Sequence, residues 1–251
     1  MGEGDRPPPL LQLDGLRRTF GSVVVAHDLS LSLASGETLG IVGPNGAGKT
    51  SVLNLITGAL RADSGRILFE GVDISREPIH SRARLGIGRT YQVPLPFGGM
   101  TGFENVLLGA TYAAGSRRET AAAAAAAVDA LERTELLDRA NRLAGRLPLL
   151  DRKRLELARA LATRPRLLLL DEIAGGLTEA EVGDLVVTIR RLQAEGVTII
   201  WIEHIVHALI SVVDRLMAMS FGRKLAEGDP HAVLADPVVQ AVYLGSQEAT
   251  A

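Results

Sequence analysis

The sequence predicts an α/β fold, a parallel sheet whose strand ends carry the chemistry, with antiparallel strands and a helical segment attached. Three observations predict it. A glycine-rich run, Gly43-Pro44-Asn45-Gly46-Ala47-Gly48-Lys49-Thr50, joins the apolar stretch Leu39-Gly40-Ile41-Val42 to a helix-like segment that starts at Ser51. Two later apolar runs, Leu167 to Leu170 and Val197 to Ile202, lead directly into Asp171-Glu172 and Glu203-His204. Unbroken apolar runs of this length suit strands covered on both faces. Residues 102 to 162 carry apolar positions at helical spacing instead.

Each element follows from its local pattern. Met1 to Pro9 is polar and proline-rich and reads as a flexible tail. Residues 10 to 38 alternate polar and apolar in short runs, and Arg66-Ile67-Leu68-Phe69 followed by Glu70-Gly71 reads as a further strand and turn. Together they predict a small antiparallel sheet beside the glycine-rich loop. The alanine run from Ala121 to Ala127 has high helix propensity, and Val128, Leu131, Leu136 and Leu137 continue it at helical spacing. That predicts a packed helix.

Composition narrows the partners. A net charge of −2 gives no general attraction to nucleic acid or to an anionic membrane. With no cysteine there is no disulfide framework, thiolate metal site or cysteine nucleophile. Five histidines without paired ligand spacing do not suggest a transition metal. No charged-then-apolar leader opens the chain, and no apolar run approaches the roughly 20 residues of a membrane span. Work at a membrane would need spans from another subunit.

The glycine-rich run fits G-x-x-x-x-G-K-[ST], a phosphate-binding loop. Gly43, Gly46 and Gly48 let the backbone curl around phosphate oxygens, with Asn45 in the curl and Ser51 in the first helical turn. Lys49 would reach the β- and γ-phosphates and Thr50 would hold Mg²⁺. Ligands of open α/β sheets bind outside the carboxyl ends of the strands. Asp171, Glu172 and His204 are therefore expected beside Lys49: Asp171 for Mg²⁺, Glu172 as general base, His204 at the γ-phosphate.

In this order and spacing these residues resemble the ATP-binding subunit of an ABC transporter, from about Leu10 to Gly245, with a helical subdomain at about 93–163 and a short tail at 246–251. The resemblance implies a P-loop NTPase core of the ABC ATPase kind that uses ATP and Mg²⁺ and carries an antiparallel β subdomain and an α-helical subdomain. It implies that adenine stacks on Phe20, and that Gln92 meets Mg²⁺ or the attacking water and senses the membrane subunit. Asp171 matches the Mg²⁺-associated aspartate, Glu172 the catalytic glutamate and His204 the switch histidine. The segments Asn54 to Gly58, Asp63-Ser64-Gly65, Ala83 to Thr90 and Ala241 to Gly245 resemble the branched-chain amino-acid uptake branch; urea and amide importers have close relatives of this subunit. The implied partners are transmembrane permease subunits, a solute-binding protein and a second ATPase subunit, at the cytoplasmic face of the inner membrane, with no nucleic acid.

One stretch departs from the family. Its signature, usually LSGGQ, is replaced by Leu147-Pro148-Leu149-Leu150-Asp151. Pro148 has neither the hydroxyl nor an N–H, and Leu149 and Leu150 put side chains where close backbone approach is wanted. Asp151 is expected to set a negative charge near the phosphate, a repulsion of about 4 kcal/mol at ~4 Å and an effective dielectric constant of ~20. The usual proline after the catalytic glutamate is Ile173, and Thr178 stands where many relatives carry Asp or Asn. Ile173 and Thr178 weigh against cross-subunit communication of the usual kind, and the altered signature predicts an asymmetric heterodimer in which this chain supplies the catalytic glutamate of the sound site. A soluble ABC-type ATPase and a non-hydrolysing regulatory module are the alternatives, and Glu172 argues against the second.

Overall fold

Alternation along the central strands decides which face each residue sees. The computed structural model of the chain describes residues 8–114 and 120–248. The antiparallel sheet is built from β1 (Leu11–Phe20) and β2 (Val23–Leu33), and the central sheet opens with β3 (Thr38–Val42), which feeds α1 (Lys49–Thr57). Then come β4 (Ser64–Phe69), β5 (Val72–Asp73), α2 (Ile79–Arg84) and β6 (Ile87–Arg89). Helices α3 (Gly102–Ala114), α4 (Thr120–Arg133) and α5 (Leu149–Leu161) follow, with two single 3-10 turns between α4 and α5. The chain returns through β7 (Leu167–Asp171), α6 (Glu179–Ala194), β8 (Thr198–Ile202) and α7 (Val206–Ile210). It closes with β9 (Arg215–Ser220), β10 (Arg223–Gly228), α8 (Pro230–Ala235) and α9 (Pro237–Glu248). Residues 1–7 of the expected N-terminal tail lie outside the described residues. At the other end α9 continues to Glu248, into the stretch from 246 expected as tail.

Two sheets result. The smaller has the order β2-β1-β4-β5, and its recorded pairings are antiparallel. The larger has the order β10-β9-β3-β8-β7-β6, parallel except for the β9–β10 hairpin. Its strands β3, β7 and β8 are buried at every residue, as their unbroken apolar runs require. Leu168, Leu170, Ile199 and Trp201 join one core with the helices. Their neighbours Leu167, Leu169, Ile200 and Ile202 join the other, beneath α1 and the antiparallel sheet. A period-2 pattern thus serves two cores from one sheet.

The alanine-rich segment is helical, as its propensity predicts, and Ala123, Ala126, Ala127 and Ala130 are buried on the face that packs into the first core. Small side chains let α4 pack closely against α3 and α5. The parallel register sets the ends of the strands level: Asp171 lies beside Ile202 and Arg89 beside Leu169. Everything that follows β3, β6, β7 and β8 therefore opens on one edge of the sheet.

Candidate active site

Backbone crowding explains the glycines of the loop. Gly48 is left-handed (φ 100°), and a Cβ there would lie 2.5 Å from the carbonyl oxygen of Val25. A Cβ on Gly43 would lie 2.3 Å from that of Met219. Any side chain at either position would push the loop off the strands that support it. Helix α1 starts at Lys49 with no side-chain cap, so its first N–H groups face outward at the positive end of the helix dipole. Above them is a cleft of about 290 Å³ lined by Val23, Val25, loop residues 45–51 and Glu172. A glycine cradle, an uncapped helix end and a lysine fit a nucleoside triphosphate. Lys49 donates from Nζ to the carbonyls of Gly43 (2.7 Å) and Pro44 (3.1 Å). Burial lowers its pKa, and the carboxylates of Glu172 and Asp171 oppose that shift.

The acidic residues converge as the strand ends predict. Thr50 donates from Oγ1 to Asp171 Oδ1 at 3.3 Å, across 121 residues of sequence. This hydroxyl and carboxylate form a hard, all-oxygen donor pair, which suits Mg²⁺. Gln92 donates from Nε2 to Glu172 Oε2 at 2.5 Å. Glu172 sits at φ 46°, left-handed for a residue with a long side chain. Such a conformation costs on the order of 1–3 kcal/mol and persists where its surroundings over-determine it. Here Glu172 N–H donates to Ile202 O at 2.9 Å and the side chain is held by Gln92.

Two expected residues lie further out. Phe20 is 50% exposed, with the Arg18 guanidinium 4.4 Å from its ring centre. It is no core residue of the small sheet. Its register partner Val23 lines the cleft, and Phe20 stands beside it on the rim. His204 is 60% exposed at its side chain and has no recorded hydrogen bond to Lys49, Gln92, Asp171 or Glu172. Its recorded partner is Glu203, with Nδ1 3.1 Å from Oε1.

Three residues were not foreseen as parts of the site. Glu203 is buried, accepts the N–H groups of Ala174 (3.0 Å) and His204 (3.1 Å), and has its pKa raised by burial. Its position directly after an apolar run, like that of Asp171, was the available signal. Lys153 of α5 is buried and donates from Nζ to the carbonyl of Gln92, tying the helical segment to the glutamine that holds Glu172. Burial lowers its pKa. Arg89 donates to Asp171 Oδ2 at 2.8 Å. No local pattern in the sequence marks Lys153 or Arg89.

The stretch at 147–151 corrects one expectation. Asp151 does not face outward: it is buried and accepts a hydrogen bond from Arg139 Nη1, and its carboxylate in turn raises the Arg139 pKa. The expected repulsion with phosphate therefore loses its source. Pro148 is the N-cap of α5 and makes no side-chain cap. Leu149 Cδ2 packs 3.2 Å from where a Cβ on Gly176 would stand. Thr178 and Ile173 are also accounted for. Thr178 caps α6 in a reciprocal box with Glu181, the service an Asp or Asn gives. Ile173 is buried in the first core.

Comparison with known proteins agrees with this geometry. A family model described as ABC transporter matches residues 26–175, and a second, described as branched-chain amino acid ATP-binding cassette transporter, matches 223–249. The chain is 37% identical over 250 residues to the high-affinity branched-chain amino acid transport ATP-binding protein BraF of Pseudomonas aeruginosa (94% of this chain, 98% of that one). It is 35% identical over 239 residues to the lipopolysaccharide export system ATP-binding protein LptB of Acidithiobacillus ferridurans (95% and 98%). A solved ATP-binding cassette of an ABC transporter in its ADP conformation superposes with a TM-score of 0.85 at 32% identity (94% and 99%).

Proposed function

We propose, from the premise that this chain belongs to the ABC transporter ATP-binding family, that it binds and hydrolyses ATP to drive import of branched-chain amino acids or related small solutes. The observation that carries the reading is the convergence of Lys49, Thr50, Gln92, Asp171 and Glu172 on one edge of the sheet. The match at 223–249 and the likeness to BraF favour import of branched-chain amino acids, whereas the likeness to LptB is to an export protein.

In this reading Lys49 and the α1 N–H groups hold the phosphates, and adenine stacks on Phe20 at the cleft rim. Thr50 and Asp171 hold Mg²⁺, with Gln92 turning to it or to the attacking water. The chemistry supplied by Mg²⁺ is neutralisation of charge on the phosphate oxygens. Glu172 takes the proton of the attacking water, and Gln92 sets the carboxylate's direction. His204, exposed and steadied by Glu203, contacts the γ-phosphate as the site closes.

No helix among the described residues is long and apolar enough to cross a membrane. The likeness to transporter ATP-binding proteins supports a peripheral subunit that works on permease partners, at the cytoplasmic face of the inner membrane. A cleft of about 560 Å³ between the end of β6 and helices α3 and α5 exposes Tyr91, Phe97, Leu108 and Tyr112 next to Gln92. An apolar patch of this kind supports permease docking there. A solute-binding protein completes the importer.

The second ATPase subunit is a different chain. Residues 147–151 offer no glycine and no hydroxyl to a phosphate held by the partner, so the sound site pairs this chain's phosphate loop with the partner's signature. The test moves a Glu→Gln change between the two subunits. Glu172→Gln should cut ATPase and uptake by about 10²- to 10⁴-fold, the range for a lost general base. The matching change in the partner should be far milder. Equal losses, or vigorous ATPase from this chain purified alone, would overturn the asymmetry.

A further inference from the structure

Asp171 has two carboxylate oxygens with different neighbours. Oδ1 accepts from Thr50 Oγ1 at 3.3 Å, and Oδ2 accepts from Arg89 Nη2 at 2.8 Å. The second contact is deeply buried, with side-chain exposures of 7% for Arg89 and 5% for Asp171. Arg89 also donates from Nη1 to Asn54 Oδ1 at 2.6 Å, and its guanidinium carbon lies 5.0 Å from the centre of the Tyr91 ring. Its Nε is buried without a partner.

An arginine that served only to neutralise a buried carboxylate would take both of its oxygens in a two-pronged contact. Arg89 does not. One prong goes to the carboxylate and the other to Asn54 on α1, four residues after Thr50 on the same helix. The guanidinium therefore spans from the phosphate-loop helix to the end of β7, and its plane sets the angle at which Asp171 presents Oδ1 toward Thr50. Resting on the reading that Asp171 is the Mg²⁺-associated residue, we infer that Arg89 is a positioning residue: anchored on Asn54, it locks Asp171 in the orientation that receives the divalent ion. A lysine cannot reproduce this, because its ammonium is a compact point charge without a planar fork.

The test measures metal binding apart from hydrolysis. Mn²⁺ affinity is read by electron paramagnetic resonance with the full chain and a non-hydrolysable ATP analogue, and analogue affinity is read separately in EDTA. Arg89→Lys should weaken Mn²⁺ binding by about 10-fold, the low end for partners that orient metal ligands, and leave the EDTA affinity unchanged. Asn54→Ala, a change that favours the helix, should weaken Mn²⁺ binding in the same direction by less, and it carries the test where Arg89→Lys does not fold. Mn²⁺ affinity that is unchanged or tighter in both variants would overturn the inference, as would an equal loss in EDTA. Asp171→Asn is the control: if it binds Mn²⁺ like the parent, the metal reading of Asp171 itself fails. If it loses Mn²⁺ while Arg89→Lys and Asn54→Ala do not, only the role of Arg89 fails.

Discussion

The phosphate loop and the turn at 147–151 both end in a helix N terminus without a side-chain cap, and they differ in nearly everything around it. At the first, backbone oxygens 2.3 and 2.5 Å from hypothetical Cβ positions exclude side chains at Gly43 and Gly48, and the helix end opens on a cleft. At the second, Pro148 precedes the helix, Leu149 and Leu150 are its first two residues, and Asp151 turns inward to Arg139. Helix dipole and first-turn N–H groups are common to both ends. What differs is what surrounds them: glycines and an open cleft at the first, a proline and two leucine side chains at the second. The stretch at 147–151 therefore differs by missing glycines and a missing hydroxyl rather than by an outward repelling charge.

The largest effect tests the intact region. Lys49→Ala should weaken ATP binding about 10- to 100-fold, matching the ~1.5–3 kcal/mol of a hydrogen bond to a charged group, and abolish uptake. Calorimetric titration with ATP decides it, and parental affinity would remove the loop from the site. The next repairs the altered region. Combining Pro148→Ser, Leu149→Gly and Leu150→Gly in a Glu172→Gln background should raise the transporter's ATPase about tenfold, a fraction of what one oriented donor contributes at a reacting centre. The site so completed is the one on the partner's phosphate loop, and no gain would mean that 147–151 does not limit it. The smallest effect concerns Asp151. Arg139→Ala should cost about 1 kcal/mol in denaturant unfolding, between surface and buried ion pairs because Arg139 is partly exposed. Unchanged stability would mean that the inward carboxylate needs no partner.

The features legible in the sequence were those whose cause is local. The glycine cradle, the apolar strands with acidic ends and the alanine helix each carry their own period or spacing, and the parallel pairing of the central strands followed from their burial on both faces. What stayed hidden depends on distant partners. Asp151 reads as an outward charge until Arg139, twelve residues away behind a turn, is seen to hold it. Lys153 meets the carbonyl of Gln92 across 61 residues, and Arg89 meets Asp171 across 82, so neither pattern has a period to detect. The exposure of Phe20 was open for the same reason. Strand alternation says which face a residue takes, but not whether the sheet continues to cover it at its end.

The left-handed backbone at Glu172 has a consequence for how this protein can change over generations. Glycine adopts that φ without strain, so drift toward stability alone would pull position 172 toward a residue with no carboxylate. Holding a glutamate there keeps the chain closer to its unfolding threshold than its fold demands; with Glu172 as the proposed general base, catalysis would consume that margin and an inactive descendant would recover it.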